Sequence, residues 1–296
     1  MRLILILGSA VTLAVAGLAC SPSGGTEGSD DEGVTVVAAF YPLFDAAQRV
    51  GGERAHVANV TPPGAEPHDI ELSPDQVDQL LDADVVLYLG GGFQPAVEEV
   101  VSGRDGPTVD VLQEVGAGDA TDPHIWLDPV LMADIVGVVA RGLAEADPPG
   151  SQTYEARAAA YHKDLQQLHD KFRRALEDCD RRTFVTTHAA FGHLARRYGL
   201  VQRSIAGLSP ESEPNPARLA DLQDLIAREG VTTVFTEPLI GARVAQTVAR
   251  ATGARVAVLD PLEGTSPQAT AGASYVSLME GNLDALRQAL GCRGGA

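Results

Sequence analysis

The stretch SQTYEARAAAYHKDLQQLHDKFRRALEDC, residues 151–179, reads as one uninterrupted helix. Tyr154, Ala158, Tyr161, Leu165, Leu168, Phe172 and Leu176 recur every three or four residues. That spacing puts them on one apolar stripe and leaves the charged residues to solvent. At about 1.5 Å per residue the rod is roughly 40 Å long. It begins after the breaker Asp147-Pro148-Pro149-Gly150. A helix of this length exceeds what a crossover inside one α/β layer needs. It suits a rigid connector between two lobes; on spacing alone, a long surface helix is the alternative.

Short β-branched runs alternate with amphipathic segments on both sides of it. The strand candidates are Thr35–Phe40, Ala55–Val60, Asp84–Leu89 and Thr108–Val111 in the first half. In the second half they are Thr183–Thr187, Val201–Ala206, Val231–Thr236 and Arg255–Leu259. Most are continuous apolar runs, as expected for strands buried on both faces of a parallel sheet. Helix starts stand out where a cap residue precedes proline: Ser73-Pro74, Asp128-Pro129 and Asn215-Pro216. The expected fold is α/β: two lobes, each a mostly parallel four-stranded sheet flanked by helices, joined by one long helix. The lobes span residues 34–147 and 181–296, with the connector at 148–180.

The chain's 296 residues carry a formal charge of −18. Such acidity disfavours nucleic acid, whose affinity comes from Lys and Arg on phosphates. Residues 1–19 hold Arg2 and an apolar run ending in small residues, the pattern of an export signal. Cys20 and the small, polar, acidic stretch through Gly33 follow it, the composition of a flexible tether. Leader, cysteine and tether together resemble a bacterial lipoprotein, with Cys20 acylated, although Gly17 stands where such sites usually carry leucine. The expected location is the outer face of the cell membrane or the periplasm. The remaining cysteines, Cys179 and Cys292, can form a disulfide in that setting or remain two thiols.

Chemistry concentrates at strand ends. His68 lies in a Pro/Gly-rich loop after the second strand candidate, and His124 sits before a helix. His188 follows Thr187, and Asp260 follows Leu259. Ligands of open α/β sheets bind beyond the carboxyl ends of the strands, so these four face one cleft. Three imidazoles and a carboxylate suit four-coordinate Zn²⁺. His56, His162, His169 and His193 read as surface or structural residues. No His-Glu-x-x-His occurs, and Gly90-Gly91-Gly92 lacks the residues of a phosphate loop.

Several dispersed segments resemble the zinc- and manganese-binding lipoproteins of ABC transporters. They are Pro63–Pro74, Asp122–Pro129, Thr187–Ala195, Ser209–Pro214, Phe235–Pro238 and Leu259–Leu262. The resemblance implies two lobes on a backbone helix and a metal held by His68, His124, His188 and Asp260. It also implies a membrane permease as partner and a monomeric, lipid-anchored binding protein that is not an enzyme. Manganese-binding members usually offer Glu where this chain has His188, so Zn²⁺ is expected over Mn²⁺ or Fe²⁺. Glu237 is a candidate for orienting a ligand. Two departures stand out. His193 occupies a place where many members carry tyrosine, and Gly116–Thr121 is short where zinc-binding members often carry a His-rich loop. The competing readings are a zinc hydrolase with an open coordination position, and an adhesin on the same fold.

Overall fold

The computed structural model describes residues 33–117, 121–210, 216–264 and 273–293. The leader, Cys20 and nearly all of the tether lie outside them, as do the end of Ser209–Pro214 and the middle of Gly116–Thr121.

Strand β1 (Val34–Ala38) is central to a first sheet with β2 (Ala55–Asn59), β3 (Val85–Tyr88) and β4 (Thr108–Asp110), in the order β2-β1-β3-β4. A second sheet repeats the plan as β6-β5-β7-β8. It contains β5 (Thr183–Thr186), β6 (Val201–Ser204), β7 (Thr233–Thr236) and β8 (Arg255–Val258). Every pairing is parallel. The inner strands are the continuous apolar ones: Val36, Val37, Val85, Val86, Val185 and Val234 are buried. Edge strand β8 has one side facing solvent, with Val258 54% exposed.

Helices α1 (Tyr41–Gly51), α2 (Pro74–Asp82), α3 (Pro95–Ser102), α4 (Val111–Val115) and α5 (Pro129–Ala146) belong to the first half. Ser73 and Gln76 close a reciprocal capping box on α2. Asp128 accepts the amide of Val130 at 2.9 Å and starts α5 just after the His124 segment. The connector α6 (Ser151–Ala175) runs 25 residues, about 37 Å at 1.5 Å each. It buries Tyr154, Ala158, Tyr161, Leu165, Leu168 and Phe172, the stripe read from the sequence. The second half adds α7 (Gly192–Arg197), α8 (Pro216–Glu229), α9 (Arg243–Thr252) and α10 (Tyr275–Leu290).

Helix α6 packs on α1, α5 and α10. One hydrophobic core therefore runs from β1 through α6 to α10. A smaller core fills the space between the second sheet and α8 and α9. Cys179 and Cys292 are disulfide-bonded across 113 residues, beside a backbone bond from Arg293 N to Asp178 O of 2.9 Å. Among the described residues no helix is long and apolar enough to cross a membrane.

Candidate metal centre

His68, His124, His188 and Glu263 converge, with their ligand atoms all within 4.8 Å of one another. His68 hangs on the loop between β2 and α2. His124 precedes the short 3₁₀ turn Ile125–Leu127 that leads into α5. His188 lies two residues beyond β5, and Glu263 follows β8. Parallel strands deliver the loops of His68, His188 and Glu263 to the carboxyl edges of their sheets, and the His124 segment joins them from between α4 and α5.

Glu263 Oε1 is the focus. It lies 3.4 Å from His68 Nε2, 3.1 Å from His124 Nε2 and 3.2 Å from His188 Nε2. Glu263 Oε2 is buried and has no hydrogen-bond partner among the described residues. A buried carboxylate with one oxygen crowded by three imidazole nitrogens and the other left unpartnered is expensive unless a cation shares the space. Neutral imidazole and carboxylate are a donor set that fits Zn²⁺.

Two of the imidazoles are fixed from behind. His124 Nδ1 donates to Asp122 Oδ1 at 2.9 Å. His188 Nδ1 stands 2.7 Å from Glu237 Oε2, and Glu237 Oε1 accepts the His188 amide at 3.2 Å and the Thr187 hydroxyl. In both cases Nδ1 faces a carboxylate at close range, which leaves Nε2 turned to the centre. The His68 ring is instead held edge-on against Phe93, with centroids 4.5 Å apart. Trp126 and Phe40 complete this aromatic wall.

Burial would push Glu263 up, but the charge on His188 and hydrogen bonds from the three imidazoles hold it well below the usual carboxylate range. Burial pulls His188 down, yet Glu263 and Glu237 outweigh it and push the imidazole up to about 10. His124 is likewise raised: Asp122 and Glu263 overcome its desolvation. The metal-free centre is thus a buried carboxylate balanced by protonated imidazole. Glu66, beside His68, is pushed up to about 8 by burial and then by the charge of Glu263.

Asp260, expected from the sequence as the fourth ligand, is not one of the converging four. Its Oδ1 accepts the amide of Leu262 at 2.8 Å, an Asx turn, and its backbone is clasped by Asn282. That turn places Leu262 at φ 58°, the sole positive φ on a non-glycine among the described residues, and carries the chain inward to Glu263. The acid that reaches the centre therefore sits three residues beyond the strand-end position. Asp122 was also missed, because Asp before Pro reads as a turn former. His193 proves to be buried, with Nε2 donating to Asp122 O at 2.9 Å. His169 is partly buried, its Nδ1 3.1 Å from the Tyr198 hydroxyl, while His56 and His162 are exposed.

Paired parallel sheets with a buried three-imidazole, one-carboxylate cluster at their carboxyl ends define a metal-site α/β protein of the solute-binding type. The chain belongs to the family described as zinc-uptake complex component A, periplasmic, which matches residues 36–289. It is 31% identical over 304 residues to the high-affinity zinc uptake system protein ZnuA of Bacillus subtilis, covering 95% of each chain. The laminin-binding protein Lmb of Streptococcus agalactiae, described as having adhesin and metal-transporting activity, superposes with TM-score 0.81 at 31% identity, over 87% of this chain and all of that one. The Zn(II)-bound ZnuA-like domain of Streptococcus pneumoniae AdcA superposes with TM-score 0.76 at 33% identity, over 87% and 99%. The chain spans about half the length of the AdcA proteins it matches: 55% of the zinc-binding protein AdcA of Streptococcus pyogenes (serotype M6), at 32% identity over 285 residues and 86% of this chain.

Proposed function

We propose that this protein captures Zn²⁺ outside the cytoplasm and delivers it to an ABC importer in the membrane. The observation that carries the reading is the convergence of His68, His124, His188 and Glu263 in a buried pocket, with Glu263 Oε2 unpartnered among the described residues. Those four side chains are the proposed ligands, and Glu237 and Asp122 orient two of them. Three nitrogen donors favour Zn²⁺ over Mn²⁺, which suits oxygen-rich sites.

The metal is cargo, and no bond need be made or broken around it. Glu263 supplies the fourth donor that a hydrolytic site would leave to water. Lipid attachment at Cys20 and docking on a permease complete the reading, supported by the leader, cysteine and acidic tether of residues 1–33 and by the zinc-uptake description of the family. Elemental analysis of protein purified without chelator, alongside His188→Ala, tests it. One zinc per parent chain and its loss in the variant are expected. Stoichiometric manganese in the parent, or metal-dependent turnover of ester or peptide substrates, would overturn it.

A further inference from the structure

We infer that Gly192 and His193, at the start of α7, are positioning residues that set the metal-ligand geometry of His124 through Asp122. The inference rests on the metal-capture reading and goes beyond its ligand set. His124 owes its orientation to Asp122, whose Oδ1 accepts both the His124 amide at 3.2 Å and the His124 ring Nδ1 at 2.9 Å. Asp122 is itself buried, in a loop with no ladder to hold it. Its restraints come from the other half of the chain. His193 Nε2 donates to the Asp122 carbonyl oxygen at 2.9 Å and stands 3.7 Å from Oδ2. Arg196 Nη2 lies 3.8 Å from the same Oδ2. A Cβ at position 192 would come within 2.5 Å of Asp122 Oδ2, so only glycine permits the approach.

The consequence is a link between two ligands on different sheets. The segment that carries His188 past β5 turns into α7, and the first turn of α7 grips the residue that anchors His124. His193 is buried and is not one of the four converging residues. Its ring is used instead as a donor to a backbone carbonyl, a task that needs an N–H at that reach and no charge.

Three variants test this: His193→Phe keeps a ring but removes the donor, His193→Gln restores an N–H, and Gly192→Ala pushes Asp122 away. Zn²⁺ affinity is measured by competition with a chelator, and the tautomer and line width of the His124 imidazole are read by ¹⁵N NMR of the zinc-loaded protein. His193→Phe and Gly192→Ala should lose roughly 10–100-fold in affinity, the scale of outer partners of metal ligands. Both should perturb the His124 resonances while sparing those of His68, and His193→Gln should restore parent-like binding and spectra. Parent-like affinity and His124 signals in His193→Phe and Gly192→Ala would overturn the inference. So would equal losses in His193→Phe and His193→Gln with His124 unperturbed, because that pattern marks packing alone. If His193→Phe does not fold, Gly192→Ala decides on the same two readouts. A parent protein that binds no zinc would instead overturn the metal-capture reading itself.

Discussion

The indole Nε1 of Trp126 donates to the backbone carbonyl of Pro261 at 2.7 Å, joining residues 135 apart in sequence. Trp126 lies two residues after His124, and Pro261 two residues before Glu263. The bond ties the loop carrying one proposed ligand to the loop carrying another. From the other side, the Tyr275 hydroxyl donates to the Trp126 carbonyl at 2.6 Å.

Trp126→Phe should therefore weaken the centre without emptying it. The substitution removes one buried donor and strands the Pro261 carbonyl, at a cost of about 1–3 kcal/mol. Denaturant melts with and without Zn²⁺ check this. A larger loss for the zinc-loaded protein than for the metal-free one is expected, because the bond aligns two ligand loops.

Zinc binding should expel protons at neutral pH. His188 is pushed up to about 10 in the metal-free centre, so it carries a proton that the metal must displace. Affinity should climb with pH through the neutral range and level off near pH 10. The same shift governs stability of the metal-free protein. A raised imidazole contributes stability that is complete below its ordinary value of about 6.5 and lost as pH rises to about 10. The lowered Glu263 contributes stability above its ordinary range that is lost as pH falls through its depressed value. Calorimetric titrations in buffers of different ionisation heat should reveal the released protons, and melts of the metal-free chain should show the decline toward pH 10.

Glu263 and Asp260 can be separated by mutation. Glu263→Gln should cost more than the roughly 10–100-fold that outer partners of a metal contribute. Asp260→Asn retains an acceptor for the Leu262 amide and should bind zinc nearly as the parent does. Chelator competition on both variants distinguishes the two carboxylates. The reverse order of losses would return the ligand role to Asp260.

The Cys179–Cys292 bond closes a separation of 113 residues. Replacing both cysteines by serine should lower unfolding stability by roughly 2–5 kcal/mol, mainly by freeing the unfolded chain. Equilibrium unfolding with and without reductant measures the difference, and the double variant should be insensitive to reductant.

The sequence reveals elements that follow a period and hides those that depend on a turn. The inner strands β1, β3, β5 and β7 were legible because a strand buried on both faces must be a continuous apolar run, and the half-exposed edge strands were legible from their alternation with helices. The start of α5 was legible from Asp128-Pro129, since a cap followed by proline has few other uses. His68 and His188 stood in loops that follow strands, where the fold class alone sends ligands, while His124 stood just before a helix start. Glu263 was not legible, because its approach depends on Leu262 adopting a left-handed backbone, which no leucine advertises. The link from His193 to Asp122 was equally hidden. It joins segments 71 residues apart, and periodicity speaks only of neighbours. The continuous core through α6 was visible only as half of a pattern, one stripe whose partners in α1, α5 and α10 lie far along the chain.

That continuous core has a bearing on how loading could be sensed from outside. A protein built as two shells on a hinge announces its cargo by changing outline. Here the larger of the two cores is spanned by one rod, which should keep the outline nearly constant on loading. Loading would then be expected to show in the carrier loops around His68, His124 and Glu263 and in the protons they hold, which amide exchange on the metal-free and zinc-loaded protein would read. A docking partner would distinguish full from empty by touch at that rim, much as a lock reads the cut of a key and not its length.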